Sequence, residues 1–195
     1  MGGRGSAGIA QSTITPEDWE AWSEDPSVLQ RLERGQDMTD YFRDQYDEDE
    51  WKSVYKDMLN LAQNMGSRAE SETIDTSTLY RGERFKSLEE AQKKFTIGNT
   101  ITTSQLTSYS KDLDMARAYA NMYGGNSVAV VITNTSTNGR FTALQTNHPG
   151  YTKSTDPEVL VKRGFESKVT KTRYDKNTNT LYVTMTNSVK PKRRR

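Results

Sequence analysis

The chain has 195 residues, of which 32% are apolar, and its mean hydropathy is −0.90; this allows one domain with a modest core, or one domain plus a small helical appendage. Its 27 Lys and Arg nearly balance 26 Asp and Glu, which argues against a whole-surface field for nucleic acid. With no cysteine and one histidine, His148, disulfides, thiolate chemistry and multi-histidine or cysteine metal sites are excluded, and no metal is expected.

No apolar run approaches membrane-spanning length, and the start of the chain lacks the apolar stretch of a secretory signal, so a soluble protein with no membrane partner is expected. Residues 1–14 are rich in Gly and Ser and read as a flexible lead. Thr15-Pro16-Glu17-Asp18 then offers an N-cap, a first-turn proline and first-turn acids. Asp25-Pro26 repeats the signal before Val28, Leu29 and Leu32, with Gly35 as a stop, so two short helices are predicted. A third covers 38–45. After the acidic run 47–50, a longer helix carries Trp51, Val54, Tyr55, Met58, Leu59 and Ala62 at helical spacing until Gly66. That stripe reads as core packing.

From Thr73 the texture changes to short β-branched runs between turn residues, where a sheet should begin. Thr78-Leu79-Tyr80-Arg81-Gly82 reads as a strand, and Ser87-Leu88-Glu89-Glu90 as a capping box opening a short helix toward Phe95. The hydroxyl-rich segment 100–110 is extended, and a helix follows over about 112–122, broken by Gly124-Gly125. Residues 127–133 form the clearest buried strand; 140–144, 158–161, 165–172 and 181–186 are further strands, the last two joined by a turn at 174–179. Residues 191–195 are a basic tail with no reason to fold. The organisation expected is a lead (1–14), a helical part packed on the core (15–70), the core itself (71–188) and the tail (189–195).

Three polar sites fall at strand ends in chain order: Arg81 with Gly82, Ser108-Tyr109-Ser110, and Asp156-Pro157-Glu158. In an extended chain residues two apart share a face, so Asp156 and Glu158 would stand above one pocket. Taken alone, each has a plain reading: a surface ion-pair arginine, a serine helix cap, a solvated strand end. Their joint order, with a helix after the arginine strand and another after the serine strand, resembles the R-S-E class of mono-ADP-ribosyltransferases, which includes clostridial toxins and bacteriophage enzymes. Leu79-Tyr80-Arg81-Gly82 looks like that family's aromatic-Arg-Gly strand, Ser108-Tyr109-Ser110 followed by Ala116 and Tyr119 like its S-T-S motif and helix, and Asp156-Pro157-Glu158-Val159-Leu160 like its E-x-E or Q-x-E segment. Tyr109 replaces the middle Thr, and Asp156 replaces Glu or Gln where the family reads its acceptor.

The resemblance implies an α+β fold: an ADP-ribosyltransferase-like core of two facing, mostly antiparallel β-sheets with N-terminal and flanking helices, binding NAD, the ADP-ribose donor, in the cleft between them. It implies a catalytic set of Glu158, Asp156, Ser108 and Arg81. Glu158 would hold charge near the developing ribosyl cation, Arg81 would clamp the diphosphate, and Ser108 would fix the rotamer of Glu158. Asp156 would orient or deprotonate the acceptor. The NAD-binding set would be Arg81, Gly82, Ser108, Ser110, Tyr119 and Tyr123, with Gly82 letting its backbone approach the nicotinamide amide. The long polar loop before Glu158 offers Tyr151 and His148 for recognising a target protein. Transfer to a protein side chain, arginine first, is the expected activity of a monomer. The expected target is a host protein, reached in a bacterial cytoplasm if the chain is phage-encoded or after delivery as an effector. NAD glycohydrolysis is a second reading; a third is a phage structural protein binding nucleic acid weakly through the basic tail.

Overall fold

The computed structural model describes residues 13–122, 126–145 and 158–187. Helix α1 (Pro16–Glu24) begins in a capping box: the Thr15 hydroxyl accepts from Asp18 N, and the Asp18 carboxylate accepts from Thr15 N at 2.9 Å. Ile14 and Trp19, at the two positions of a hydrophobic staple around this cap, are both buried. Ile14, the last residue of the expected lead, thus packs against the helical layer. Asp25 caps α2 (Pro26–Glu33), accepting from Ser27 N, and Gly35 stops it at φ +86.

Helices α3 (Thr39–Gln45) and α4 (Trp51–Ser71) complete the layer. The long helix does not end at Gly66 as expected but runs through it to Ser71. Gly66 is there for packing: a Cβ would lie 2.8 Å from Cγ of Glu33 on α2, so the glycine lets two helices approach. The apolar faces of all four helices meet Leu106, Leu144 and Leu160 of the sheet region in one buried cluster. Among the described residues no helix is long and apolar enough to cross a membrane.

The rest of the described residues form sheet with two helices. Strands β1 (Thr73–Ile74) and β2 (Thr78–Phe85) precede α5 (Leu88–Lys94); β3 (Thr100–Thr102) and β4 (Thr107–Tyr109) precede α6 (Leu113–Asn121). Then come β5 (Val128–Ser136), β6 (Phe141–Thr142), β7 (Leu144–Gln145), β8 (Val159–Val161), β9 (Glu166–Asp175) and β10 (Thr180–Asn187). The larger sheet has the order β2-β5-β10-β9-β3, a smaller one β4-β8-β7, and β1 pairs with β6. Only β5 and β10 run parallel; every other ladder among the described residues is antiparallel. The α+β layout inferred from the motifs is the one the chain adopts.

Strand β5 is buried along Val128–Ile132 because both its faces are covered. Ala129 and Val131 pack against Ala120 of α6, while Val130 and Ile132 pack with Leu181, Val183 and Phe95. The hydroxyl-rich segment divides where the chain turns between sheets, β3 pairing with β9 and β4 with β8. The two sheets meet where Tyr80 N donates to Ser110 O at 2.7 Å and Ser110 N returns a bond to Tyr80 O at 2.8 Å. This junction sets Arg81 beside Ser108.

Candidate active site

Strand alternation places Leu79, Arg81 and Glu83 on one face of β2 and Tyr80 and Gly82 on the other. Leu79 is buried with Tyr109, Val159 and Val161, so the face carrying Arg81 turns toward the smaller sheet. There the guanidinium is held twice: Nε donates to Glu83 Oε1 at 3.0 Å, and Nη1 donates to the Ser108 carbonyl at 2.8 Å. The side chain is partly exposed, 29% against 22% for Glu83, so the pair fixes geometry more than it adds stability.

On the opposite face, Gly82 lies under α6. A Cβ at this position would fall 2.0 Å from the Ala116 carbonyl oxygen and 2.7 Å from Ala120 N. Whatever else approaches it, glycine is required here by the helix. Arg84, one turn of the pleat onward, fastens the end of that helix: Nη1 donates to the Ala120 carbonyl, Nε to Ser127 Oγ at 2.8 Å and Nη2 to Ser127 O at 2.9 Å. In the sequence Arg84 resembles any surface cation, and only its three acceptors reveal the role.

Ser108, on β4, donates its hydroxyl to Glu158 Oε1. Antiparallel pairing of β4 with β8, Ser108 opposite Leu160, brings the two chain segments to that distance. Between the serines the Tyr109 ring turns away into the core against Phe165. Burial pushes its phenol above the usual tyrosine value, only partly offset by the Asn134 amide. Ser110 is engaged with the helix that follows, its Oγ accepting from Asp112 N at 2.9 Å.

Glu158 has a second partner that motif reasoning missed. The indole Nε1 of Trp22, on α1, donates to the same Oε1 at 2.9 Å. A tryptophan buried on an amphipathic helix usually gives its N–H an acceptor, which is the one signal the sequence carried. The acceptor, 136 residues onward, could not be read from it.

These groups line one cleft of about 450 Å³, within the range of small-molecule sites. The helical layer contributes Trp22, Asp25, Ser27 and Gln30 to its lining. The sheet side contributes Tyr80, Arg81 and Gly82 of β2, Ser108, Ser110 and Glu158, with Met115, Ala116 and Tyr119 of α6. Tyr119 is 58% exposed at the rim. Arg81, Gly82, Ser108, Ser110, Tyr119 and Glu158 are thus brought together. Asp156, Tyr123, Tyr151 and His148 lie outside the described residues, as does the basic tail.

Chemically, the cleft presents a guanidinium and a carboxylate that are both bonded to Ser108. The carboxylate has two donors on one oxygen, and among the described residues none on Oε2. Such a pair suits an anionic ligand that develops positive charge at one carbon.

No protein-family model matches the sequence, and no curated protein does. Solved structures do match in fold. The Vis toxin, an ADP-ribosyltransferase from Vibrio splendidus, is 17% identical with a TM-score of 0.62, over 92% of this chain and 75% of that one. An ADP-ribosyltransferase from Clostridium botulinum is 13% identical with a TM-score of 0.60, over 92% of this chain and 88% of that one. The Salmonella SpvB domain gives 14% identity and a TM-score of 0.56, over 90% and 99%. At these identities the likeness is one of fold, and it agrees with the motifs: the chain has the fold of the ADP-ribosyltransferases.

Proposed function

We propose that this protein is a mono-ADP-ribosyltransferase, cleaving NAD between nicotinamide and ribose and passing ADP-ribose to a protein side chain. The observation that carries the reading is the convergence of Arg81, Ser108 and Glu158 in one cleft, with the serine hydroxyl on the carboxylate. The likeness of fold to Vis and to the Clostridium botulinum transferase supports it.

In this reaction the C–N glycosidic bond breaks, nicotinamide leaves with the bonding pair, and the ribose passes through an oxocarbenium-like state. Glu158 Oε2 accepts from a ribose hydroxyl and holds negative charge beside the cationic carbon, an electrostatic role of the kind that dominates many enzymes. The Arg81 guanidinium faces the diphosphate, and Tyr119 at the rim offers a ring for a base or the nicotinamide. An acceptor nucleophile then bonds the anomeric carbon and gives up its proton, for which Asp156 is the proposed base.

Arginine is the proposed acceptor. Vis is known in complex with agmatine, a small guanidinium compound of the kind an arginine side chain would present. Tyr151 and His148 are proposed to meet the target, which we take to be a host protein. The test is transfer of labelled ADP-ribose from NAD in a bacterial lysate, wild type beside Glu158→Gln, with free ADP-ribose measured in the same tube. Label on protein that vanishes in the variant supports the transferase. Free ADP-ribose without labelled protein would make the enzyme an NAD glycohydrolase.

A further inference from the structure

The geometry points to Trp22 as a positioning residue of this active site: its indole N–H holds the Glu158 carboxylate in register, making the amino-terminal helix part of the catalytic apparatus. This rests on the proposed reaction for its kinetic meaning, though the contact itself does not.

Trp22 Nε1 lies 2.9 Å from Glu158 Oε1, and Ser108 Oγ donates to the same oxygen. One donor on a carboxylate oxygen leaves the group free to swing about that bond. Two donors from different elements remove this freedom, fixing which oxygen faces the helix layer and which faces the cleft. Oε1 is thereby committed to the protein and Oε2 to the substrate. The tryptophan suits the task because the residue is 1% exposed and its side chain has two torsions, so little disorder remains in where the N–H points.

The helical layer carrying it is fixed against both strands of the site, chiefly through the neighbouring helix α2. The layer's buried cluster includes Leu106 before β4 and Leu160 on β8. On α2, Gln30 Nε2 donates to the Leu106 carbonyl at 2.8 Å. Glu33 pairs with Arg163 just beyond β8 at 3.2 Å. The layer therefore grips the chain on both sides of the Ser108–Glu158 contact. Satisfying the indole alone would need only a backbone carbonyl. Here a carboxylate is used, and it is the one whose orientation the proposed reaction depends on.

Replacing Trp22 with benzothienylalanine, by suppression at that codon, keeps the ring's shape and removes only the N–H. The full chain carrying it is compared with wild type and with the same replacement at Trp19, which is buried on the same helix but does not line the cleft. The expected result is a fall in kcat for nicotinamide release of about 10- to 100-fold, the range for a hydrogen bond to a charged group, with KM within about twofold of wild type. Trp19 should tolerate the change. Unchanged kcat at position 22 overturns the inference, as does a loss confined to KM.

A stability cycle between this replacement and Glu158→Ala gives a readout that needs no activity. Non-additive melting shifts support the contact, and additive shifts overturn it. If the wild-type protein releases no nicotinamide, the proposed reaction fails, and the cycle alone decides whether Trp22 holds Glu158.

Discussion

Gly82→Ala is the substitution whose consequence can be worked most directly from the structure. The new methyl would sit 2.0 Å from the Ala116 carbonyl oxygen, 2.7 Å from Ala120 N and 3.1 Å from the Ala116 carbonyl carbon. Carbon–oxygen contacts are comfortable only near 3.3–3.6 Å, so more than about 1 Å must be found. Every atom in the way is helix backbone, so no rotamer change relieves the clash, and α6 must move off β2. Overpacking typically costs about 1–3 kcal/mol, and moving a helix belongs at the upper end. At about 2–4 °C per kcal/mol for a chain of this size, the melting temperature should fall by about 6–12 °C. Gly66→Ala is the internal comparison. Its nearest contacts, at 2.8 and 2.9 Å, are Cγ and Oε1 of the Glu33 side chain, which can make room by turning within its pair with the half-exposed Arg163. Alanine also regains about 0.5–1 kcal/mol in a helix interior. That variant should lie within about 1 kcal/mol of wild type. Urea and thermal unfolding followed by circular dichroism measure both. A Gly82→Ala protein as stable as wild type, or less affected than Gly66→Ala, would refute the packing account.

Arg84→Met should cost about 2–3 kcal/mol in urea unfolding, because it strips the Ala120 and Ser127 carbonyls of their donor while keeping the aliphatic stem. Tyr109 makes a pH prediction. Burial holds its folded value above the ordinary 10.0, so below pH 10 both folded and unfolded chains keep the proton. Above it the unfolded chain ionises first, and Tyr109 takes away about 1.4 kcal/mol of stability per pH unit until the folded value is reached. Tyr109→Phe should make the decline of the unfolding free energy above about pH 10 shallower, by up to that amount per pH unit.

What could be read from the sequence was what local chemistry decides. Thr15 and Asp25 cap their helices as read, because a cap needs only its own first turn. Val128–Ile132 announced itself as a buried run, since a strand covered on both faces has no polar alternation. Arg81, Ser108 and Glu158 could be named because their order and flanking strands make a motif. Gly66 was misjudged for a physical reason: a glycine that ends a helix and one that admits a neighbouring helix look alike until the neighbour is known. The same limit hid the parallel pairing of β5 with β10, the division of the 100–110 segment between two sheets, and Trp22 on Glu158. Each depends on partners far along the chain.

The most direct test of the catalytic reading is the rate of nicotinamide release from NAD by purified wild-type protein, beside Glu158→Gln and Ser108→Ala. Losing the carboxylate charge should lower kcat by about 100- to 1000-fold, the scale of removing one preorganised electrostatic group, with KM changed little. Ser108→Ala should fall between that variant and wild type, since Trp22 still holds the carboxylate. A Glu158→Gln protein releasing nicotinamide at the wild-type rate would contradict the assignment of this cleft as the active site.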